Sequence, residues 1–555
     1  MHRASWKLWA AAVLSAGLLE LPFPLAGPMP PWRSFFAWIA LVPLLVAILC
    51  AGNLQSRNAL RSTFLLGYVC GVLWYAGNCY WIYDTMYIYG GLPAWASAVM
   101  LAGFSLVLGL YFAVFAWAVV LVRRATGDTR WALAAAPVFW TALDLAAARI
   151  TSVPWDQLGY SQIDNALLTR LAPWTGVYGI SFVLIAINAL IAGGVLIERC
   201  RTRRVRGICG VVLACGGTAG ILIQPPAPAP TTTAVLVQPN LNVGANNSWS
   251  GALWDQHIAQ FARLADETCG PYILGIPQLT TKVDMPECAQ PPANPNLVVW
   301  PESPAPFFEQ DSRFEQAMSA IAQQVHAPLI VNAIGTDYLP AENQSNDYVS
   351  AVIFNADGQR VGRYDKIHLV PFGEYIPFQQ VFFFAHKLAG AVPNFTHGQV
   401  RKVFLLGGHR YGVFICYEAV FASEVRQFAR LGAQVLVNIS DDGWYGDTSA
   451  PWQHLNMARM RAIENRRWLL RDTNNGVTAS IDPYGRVRQS IPRHQVDALA
   501  AEFSYRSDIT FYTAHGDVFA WICALLALAI VIRSLQLTLN RPRSSEPATA
   551  HSLVP

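Results

Sequence analysis

Long apolar runs follow one another through the first 225 residues, and another lies near the C-terminus. Each is long enough to cross the hydrocarbon core of a bilayer, which takes about 20 helical residues. Pro22 and Pro24 end the first run without a small-residue cleavage pattern, so we expect that run to be retained. The predicted spans lie near 6–24, 34–52, 62–82, 94–122, 131–149, 174–197, 207–224 and 516–535.

The pattern changes after a proline-rich linker at 225–230. Short apolar strands then alternate with amphipathic helices, which indicates an α/β domain whose sheet is covered on both faces. The strands are predicted at 234–238, 297–300, 329–333, 349–354, 413–415 and 435–439, and the helices at 256–268, 312–325, 422–431 and 452–466. The sequence therefore divides into a membrane domain (1–224), an α/β domain (225–515) and a C-terminal span with its tail (516–555).

Composition and charge support a membrane protein. Charged residues make up 13% of the chain and hydrophobic residues 53%, whereas an ordinary soluble domain is about 25% charged. The net charge of +4 is too small to indicate a nucleic-acid partner. With eight spans, five groups of basic residues fall on one side of the membrane, which predicts cytoplasmic termini and an α/β domain on the far side. These groups lie at 2–7, 57–61, 123–130, 199–206 and 533–543.

Asp144 interrupts the fifth apolar run. A carboxylate is costly in lipid, so we expect this side chain to face the bundle interior or a cavity. Two roles fit: a structural hydrogen bond to a neighbouring helix, or a function near a path for lipid entry.

Three residues in the α/β domain could carry chemistry together. Cys416 ends one apolar strand, Glu302 ends another, and Lys366 lies in a segment that runs from Arg363 to Pro377. Singly, each has a structural interpretation, and a free cysteine is most often a small buried hydrophobe. Together they supply a thiol nucleophile, a carboxylate that can take its proton, and a cation that can stabilise an oxyanion.

These residues resemble the Glu–Lys–Cys set of the nitrilase superfamily, and the chain is most similar to its membrane-embedded branch, the apolipoprotein N-acyltransferases. The resemblance covers nearly the whole sequence, although the loop at 269–295 is longer than usual for the family. The motifs that carry it are Trp300-Pro301-Glu302, Tyr364-Asp365-Lys366 with His368 to Glu374, Ile415-Cys416-Tyr417-Glu418, Asp442-Gly443-Trp444-Tyr445-Gly446, Pro451-Trp452-Gln453-His454, Tyr80-Trp81-Ile82-Tyr83, Gly159-Tyr160-Ser161-Gln162 and Gly176-Val177-Tyr178-Gly179.

The resemblance implies an αββα sandwich on the outer face of the bacterial inner membrane, and an acyl transfer in two steps. Cys416 would take an acyl chain from a phospholipid as a thioester and pass it to the α-amine of a diacylglyceryl-modified cysteine in an apolipoprotein. Glu302 would be the general base. Lys366, with the backbone N–H of Tyr417, would stabilise the oxyanions, and Glu374 would support the site.

The resemblance adds further expectations. Glu418 is a supporting residue with either a functional or a structural part, and Trp254, Phe372 and Trp444 are candidates for substrate binding. We expect a monomer that needs no cofactor or metal. The residues themselves add two more expectations. Phe382, Phe383 and Phe384 are predicted to contact lipid or acyl chain, with core packing as the alternative. Cys269 and Cys288 could form a disulfide on the non-cytoplasmic side.

Two other functions remain compatible with the residues themselves. A membrane-tethered amidase or hydrolase would use the same three residues with water as the acceptor. A transporter or scaffold with a ligand-binding outer domain would need no nucleophile, so replacement of Cys416 by alanine would leave it functional. Several apolar spans ahead of the α/β domain favour a lipid substrate, and with it the acyltransferase.

Overall fold

The computed structural model describes residues 6–52, 59–197, 220, 222, 224–243, 252–266, 295–302, 307–339, 344–376 and 394–540. Almost all of the predicted span at 207–224 lies outside these residues. The predictions for Cys269 and Cys288, and for Phe382 to Phe384, lie outside them as well.

Among the described residues, six helices are long and apolar enough to cross a membrane. They match six of the eight predicted spans, and the first predicted span is a helix of 15 residues. The helical segments are α1 (Trp6–Glu20), α2 (Val42–Gly52, continuous with a 3₁₀ turn at Pro31–Trp38), α3 (Ala59–Asn78), α4 (Ala94–Thr126), α5 (Thr129–Ile150), α6 (Val177–Leu196) and, after the α/β domain, α11 (Val518–Leu539).

Glycines let α3 and α4 pack closely. A Cβ on Gly67 would lie 2.4 Å from the carbonyl oxygen of Phe112, and one on Gly109 would lie 2.6 Å from Val72. Close backbone approach of this kind is how small residues drive helix association in lipid. Asp144 lines a cavity of about 30 Å³ that is formed by α1, α3, α4, α5 and the loop after α5. The expectation that it faces the bundle interior or a cavity is therefore confirmed.

The α/β domain is a sandwich of two six-stranded sheets. One sheet has the order β12-β1-β2-β3-β4-β5 and the other β11-β10-β9-β8-β7-β6. The strands are β1 (Thr232–Gln238), β2 (Val298–Val299), β3 (Leu329–Leu339), β4 (Gln344–Phe354), β5 (Arg360–Asp365), β6 (Val403–Leu406), β7 (His409–Ile415), β8 (Val435–Ser440), β9 (Leu469–Thr473), β10 (Thr478–Ile481), β11 (Val487–Ile491) and β12 (Asp497–Phe503).

Helices cover the outer face of each sheet. On the first sheet these are α7 (Ala252–Asp266) and α8 (Ser312–Val325), and on the second α9 (Ala422–Arg430) and α10 (Ala450–Asn465). Apolar residues from both sheets meet between them in one core. The layers are therefore α, β, β and α, as the resemblance implies. The six predicted strands and four predicted helices are all present.

Helix α10 joins the sandwich to the membrane domain. Its buried Arg461 donates from Nη2 to the Tyr160 hydroxyl over 2.8 Å, and its Glu464 accepts the backbone N–H of Val177 over 3.2 Å. Gln453, at the start of the same helix, accepts the Trp155 indole N–H over 2.9 Å and donates to the carbonyl of Asn78 over 3.0 Å. The membrane motifs around Tyr160 and Val177 are thus contacts that hold the sandwich on the helical bundle.

Candidate active site

The structure brings the three predicted catalytic residues together at the carboxyl ends of strands. Glu302 follows β2, Lys366 follows β5 and Cys416 follows β7. The first two come from one sheet and the third from the other, so the site lies where the two sheets meet. Segment 303–306, which follows Glu302, and segment 377–393, which follows the segment with Lys366 and Glu374, lie outside the described residues.

Lys366 is completely buried between two carboxylates. Its Nζ donates to Glu374 over 2.6 Å and to Glu302 over 3.1 Å. Burial by itself would lower the pKa of this ammonium, but Glu302 and Glu374 outweigh burial and raise it well above its usual value. Lys366 is therefore charged at any physiological pH, and its two hydrogen bonds, to Glu302 and to Glu374, fix its position.

Glu374 is held by the chain that carries it. Its second oxygen accepts the backbone N–H of Val370 over 2.7 Å, which closes the short turn between them. Burial raises the pKa of this carboxyl above its usual value, opposed by Lys366. The supporting position predicted for Glu374 is therefore consistent with its contacts, although its part in catalysis stays a prediction.

Cys416 sits on a sharp turn. Its φ is +47°, a left-handed conformation that is uncommon for a residue other than glycine, and a 3₁₀ turn at Cys416–Val420 follows. The side chain is 4% exposed. Burial raises the pKa of the thiol well above its usual value, Glu302 raises it further, and Lys366 lowers it. The resting residue is a thiol, so it needs a base when it attacks.

Glu418 ties the cysteine turn to the lysine segment. One of its carboxylate oxygens accepts the Ile415 N–H over 2.8 Å. The other accepts the Ile367 N–H over 2.7 Å and the Tyr364 hydroxyl over 2.8 Å. Because Ile415 precedes Cys416 and Ile367 follows Lys366, this buried carboxylate fixes the spacing between the nucleophile and the cation.

Tyr417 connects the site to the membrane domain. Its ring is stacked at 6.5 Å on Trp155, and its hydroxyl donates to the Ser152 carbonyl over 3.4 Å. The loop that follows α5 therefore supports the residue after the nucleophile.

The three candidate substrate-binding residues lie on three different elements of the α/β domain. Trp254 is buried on α7, with the Arg313 guanidinium 3.8 Å above its ring. Phe372 is half-buried in the turn before Glu374 and has a φ of +63°. Trp444 is 43% exposed and lies edge-on to Tyr89 of the membrane domain. Their roles stay predictions.

Sequence reasoning missed Asp441 and Ser440, two buried residues at the end of β8. The backbone N–H of Asp441 donates to Glu302 over 3.1 Å, on the oxygen that Lys366 does not use. The Ser440 hydroxyl donates to Asp442 Oδ1 over 3.0 Å, and its presence lowers the pKa of the Cys416 thiol. The only available signal was their place just before the Asp442-Gly443-Trp444 motif at the end of an apolar strand.

This arrangement can acylate a thiol. Glu302 can accept the thiol proton, and the Lys366 ammonium can stabilise the negative charge on an attacked carbonyl. Both groups are withdrawn from bulk water. Electrostatic stabilisation of an oxyanion is stronger in such a buried site than in water.

Two family models match the chain. The apolipoprotein N-acyltransferase N-terminal domain matches residues 15–190, and the carbon-nitrogen hydrolase domain matches residues 283–504. An amidase from Nesterenkonia sp. is among the similar solved structures, with 18% identity, a TM-score of 0.34, and coverage of 54% of this chain and 96% of the amidase.

Curated relatives extend the match over nearly the whole chain. An apolipoprotein N-acyltransferase from Geobacter metallireducens is 34% identical over 535 residues, which is 94% of each chain. Another, from Methylococcus capsulatus, is 30% identical over 544 residues, covering 96% of this chain and 98% of its own length. The match confirms the acyltransferase interpretation and supports it over the amidase alternative. The chain is a multi-pass membrane acyltransferase that belongs to the apolipoprotein N-acyltransferase family.

Proposed function

We propose that the protein transfers an acyl chain from a phospholipid to the α-amine of an S-diacylglyceryl-cysteine at the start of an apolipoprotein. Cys416 is the nucleophile, Glu302 the general base and Lys366 the main oxyanion donor. The observation that carries the proposal is Lys366, fully buried between Glu302 and Glu374 and electrostatically coupled to Cys416.

In the first step the Cys416 sulfur attacks the ester carbonyl of the phospholipid while Glu302 takes the thiol proton. The negative charge on the carbonyl oxygen is met by the Lys366 ammonium and the Tyr417 N–H. The C–O bond to the glycerol then breaks, and the alkoxide leaves with the proton held by Glu302. The products are a thioester on Cys416 and a lysophospholipid.

In the second step the α-amine of the acceptor attacks the thioester carbonyl. Glu302 removes a proton from the amine, and the same donors stabilise the second oxyanion. The C–S bond breaks, the amide forms, and the sulfur recovers the proton from Glu302. A covalent intermediate suits two substrates with lipid tails, because one apolar cleft can receive them in turn.

Basic residues and the fold support the proposed membrane placement. We propose that 1–224 and 516–555 carry the spans and the cytoplasmic termini, and that 225–515 is a periplasmic catalytic domain on the bacterial inner membrane. Contacts from Tyr417 to Ser152 and Trp155 support a site held close to the membrane domain.

The test is to incubate purified full-length protein with a phospholipid mixture and measure the intact mass. We expect one added acyl chain on Cys416, discharged when a diacylglyceryl lipopeptide is supplied, and no acylation of Cys416→Ser because serine is a far weaker acid than a thiol. Release of free fatty acid without transfer to the lipopeptide would indicate the hydrolase. Wild-type turnover by Cys416→Ser would refute the proposed nucleophile.

A further inference from the structure

One peptide group links the nucleophile to the proposed oxyanion site. The carbonyl of Cys416 and the N–H of Tyr417 belong to the same planar unit, and in a trans peptide they point in opposite directions. Any contact that fixes the Cys416 carbonyl therefore fixes the direction of the Tyr417 N–H. Since the left-handed φ of Cys416 is unfavourable for this residue type, its surroundings must hold the peptide in place.

His454 makes that contact. Its Nε2 lies 3.1 Å from the carbonyl oxygen of Cys416. A carbonyl oxygen can only accept, so Nε2 carries the proton and donates it. Burial and the neighbouring Arg471 lower the pKa of His454, and Asp442 together with the Cys416 carbonyl opposes them. Nδ1 lies 2.9 Å from Asp442 Oδ1, which can only accept, and 3.1 Å from Arg471 Nη2, which can only donate. The contacts of Nδ1 fit either protonation state of the ring, and Nε2 carries its proton in both.

A buried ionic cluster holds the ring in this orientation. Arg471 Nη2 donates to both carboxylate oxygens of Asp442, over 2.7 and 2.9 Å, and Asp442 Oδ1 lies 2.9 Å from His454 Nδ1. Arg471 also donates to Asn438, whose amide donates to the Phe414 carbonyl over 3.2 Å. The side chains of this cluster have no exposed surface, and they join the cysteine turn to β7, β8 and β9.

We propose that His454 is a positioning residue for acyl transfer: by holding the Cys416 carbonyl, it aims the Tyr417 N–H at the oxyanion. The inference rests on the proposed function. It gives a role to Asp442 and His454, which belong to two sequence motifs that the proposed mechanism leaves unused. Asp442 and Arg471 act through His454 and touch neither substrate nor the reacting sulfur in this scheme.

Variants at position 454 separate this role from simple packing. His454→Met removes the donor at similar volume, and His454→Gln can place an amide N–H near the Nε2 position. His454→Asn is polar as well but too short to reach the carbonyl. His409→Met is the matched control, because His409 begins the same strand that ends before Cys416 and stacks on Tyr505 away from the site.

Two rates are measured on each full-length variant: acylation of Cys416 from phospholipid, and alkylation of Cys416 by iodoacetamide, both by mass spectrometry. Alkylation forms no oxyanion, so it reports the thiol alone. We expect His454→Met to lower acylation roughly a hundred- to a thousand-fold, the effect of losing one oxyanion donor, with alkylation close to wild type. We expect His454→Gln to recover much of the acylation and His454→Asn to recover little.

Equal acylation by wild type and His454→Met would overturn the inference. So would a parallel fall of acylation and alkylation, which would indicate general disruption of the site. If His454→Met does not fold, the comparison of His454→Gln with His454→Asn decides, and equal acylation by both overturns the inference. Cys416→Ser distinguishes failure of this inference from failure of the proposed function. Retention of acyl transfer by Cys416→Ser would refute the proposed function, whatever the His454 variants do.

Discussion

Replacing Lys366 by methionine removes a buried ammonium that contacts two carboxylates. The side chain of Lys366 is 0% exposed, and those of Glu302 and Glu374 are 11% and 15% exposed. Methionine has similar length and volume, so the change removes charge and hydrogen bonds with little change in packing. Both the rate of acylation and the stability of the fold should respond.

The rate and stability effects can be estimated separately. Loss of one oxyanion donor lowers the rate by roughly a hundred- to a thousand-fold, and breaking one buried ion pair costs about 3–5 kcal/mol of unfolding free energy. The stability loss should depend on pH. Glu374 already has a raised pKa in the folded protein, and removal of Lys366 should raise it further. A carboxyl whose folded pKa is raised contributes stability that is lost as pH rises through that pKa.

The assay measures acyl-enzyme formation, transfer to a lipopeptide and the thermal unfolding midpoint in micelles. We expect Lys366→Met to lose both half-reactions and to lie further below wild type in midpoint at pH 8 than at pH 5. Lys366→Arg keeps the charge but replaces a compact donor with a planar fork, so it should also lose most activity. The control is Lys402→Met, because Lys402 is exposed and donates to a backbone carbonyl.

Three results would contradict this reasoning. Near wild-type activity in Lys366→Arg would make Lys366 a general cation instead of an aimed donor. Loss confined to the second half-reaction would make it a binding residue for the acceptor. A midpoint difference that is the same at pH 5 and pH 8 would mean that Glu374 does not depend on Lys366 for its charge.

The remaining predictions concern the carboxylates and the topology. Glu302→Gln should abolish acylation of Cys416, because no other base is proposed to take the thiol proton; acylation at the normal rate would mean that the base is misassigned. Glu374→Gln should slow acylation without abolishing it, and complete loss would give Glu374 a larger role. Reporter fusions at Thr231 and after Arg543 should score on opposite sides of the membrane, and the same side for both would refute the span count.

Much of the sandwich could be predicted because its central strands are apolar on both faces. Strand β8, Val435–Ser440, is buried at every position, and its sequence is one run of mostly apolar residues. Strand β11, Val487–Ile491, was not predicted, since it lies at a sheet edge and is buried only at Ile491. Strand β12 is likewise half-exposed, and it pairs with β1 from the far end of the domain. Edge pairing of this kind leaves little trace in local hydrophobicity.

The active site likewise has features that the sequence predicts and features that it does not. Cys416 and Glu302 end apolar strands, so the sequence could mark them as groups that meet at one edge of the fold. The hydrogen bond from Lys366 to Glu374 spans eight residues and follows from a local turn. The contact of His454 with the Cys416 carbonyl joins positions 38 residues apart through α10 and β8, and no pattern in the chain encodes it.

The junction with the membrane domain also escaped prediction, although its motifs were visible. Arg461 is fully buried, and its Nη2 donates to Glu464 over 3.1 Å as well as to the Tyr160 hydroxyl. Glu464 in turn accepts a hydrogen bond from the Val177 N–H at the start of α6. The sandwich is therefore anchored to the bundle by an ion pair that has no contact with water.

This anchor leads to a last prediction. Arg461→Met leaves the Glu464 carboxylate buried without its partner, which should cost about 3–5 kcal/mol of unfolding free energy, whereas Arg461→Met with Glu464→Met should cost much less. Burial already raises the pKa of Glu464 to about 7, so the penalty for the single variant should grow as pH rises from 6 to 8. The control is Arg459→Met, on the same helix, whose partner Asp164 is 31% exposed. That pair should contribute only about 0–1 kcal/mol. Unfolding midpoints in micelles measure all three variants, and equal shifts for Arg461→Met and Arg459→Met would show that burial of the pair does not control its strength.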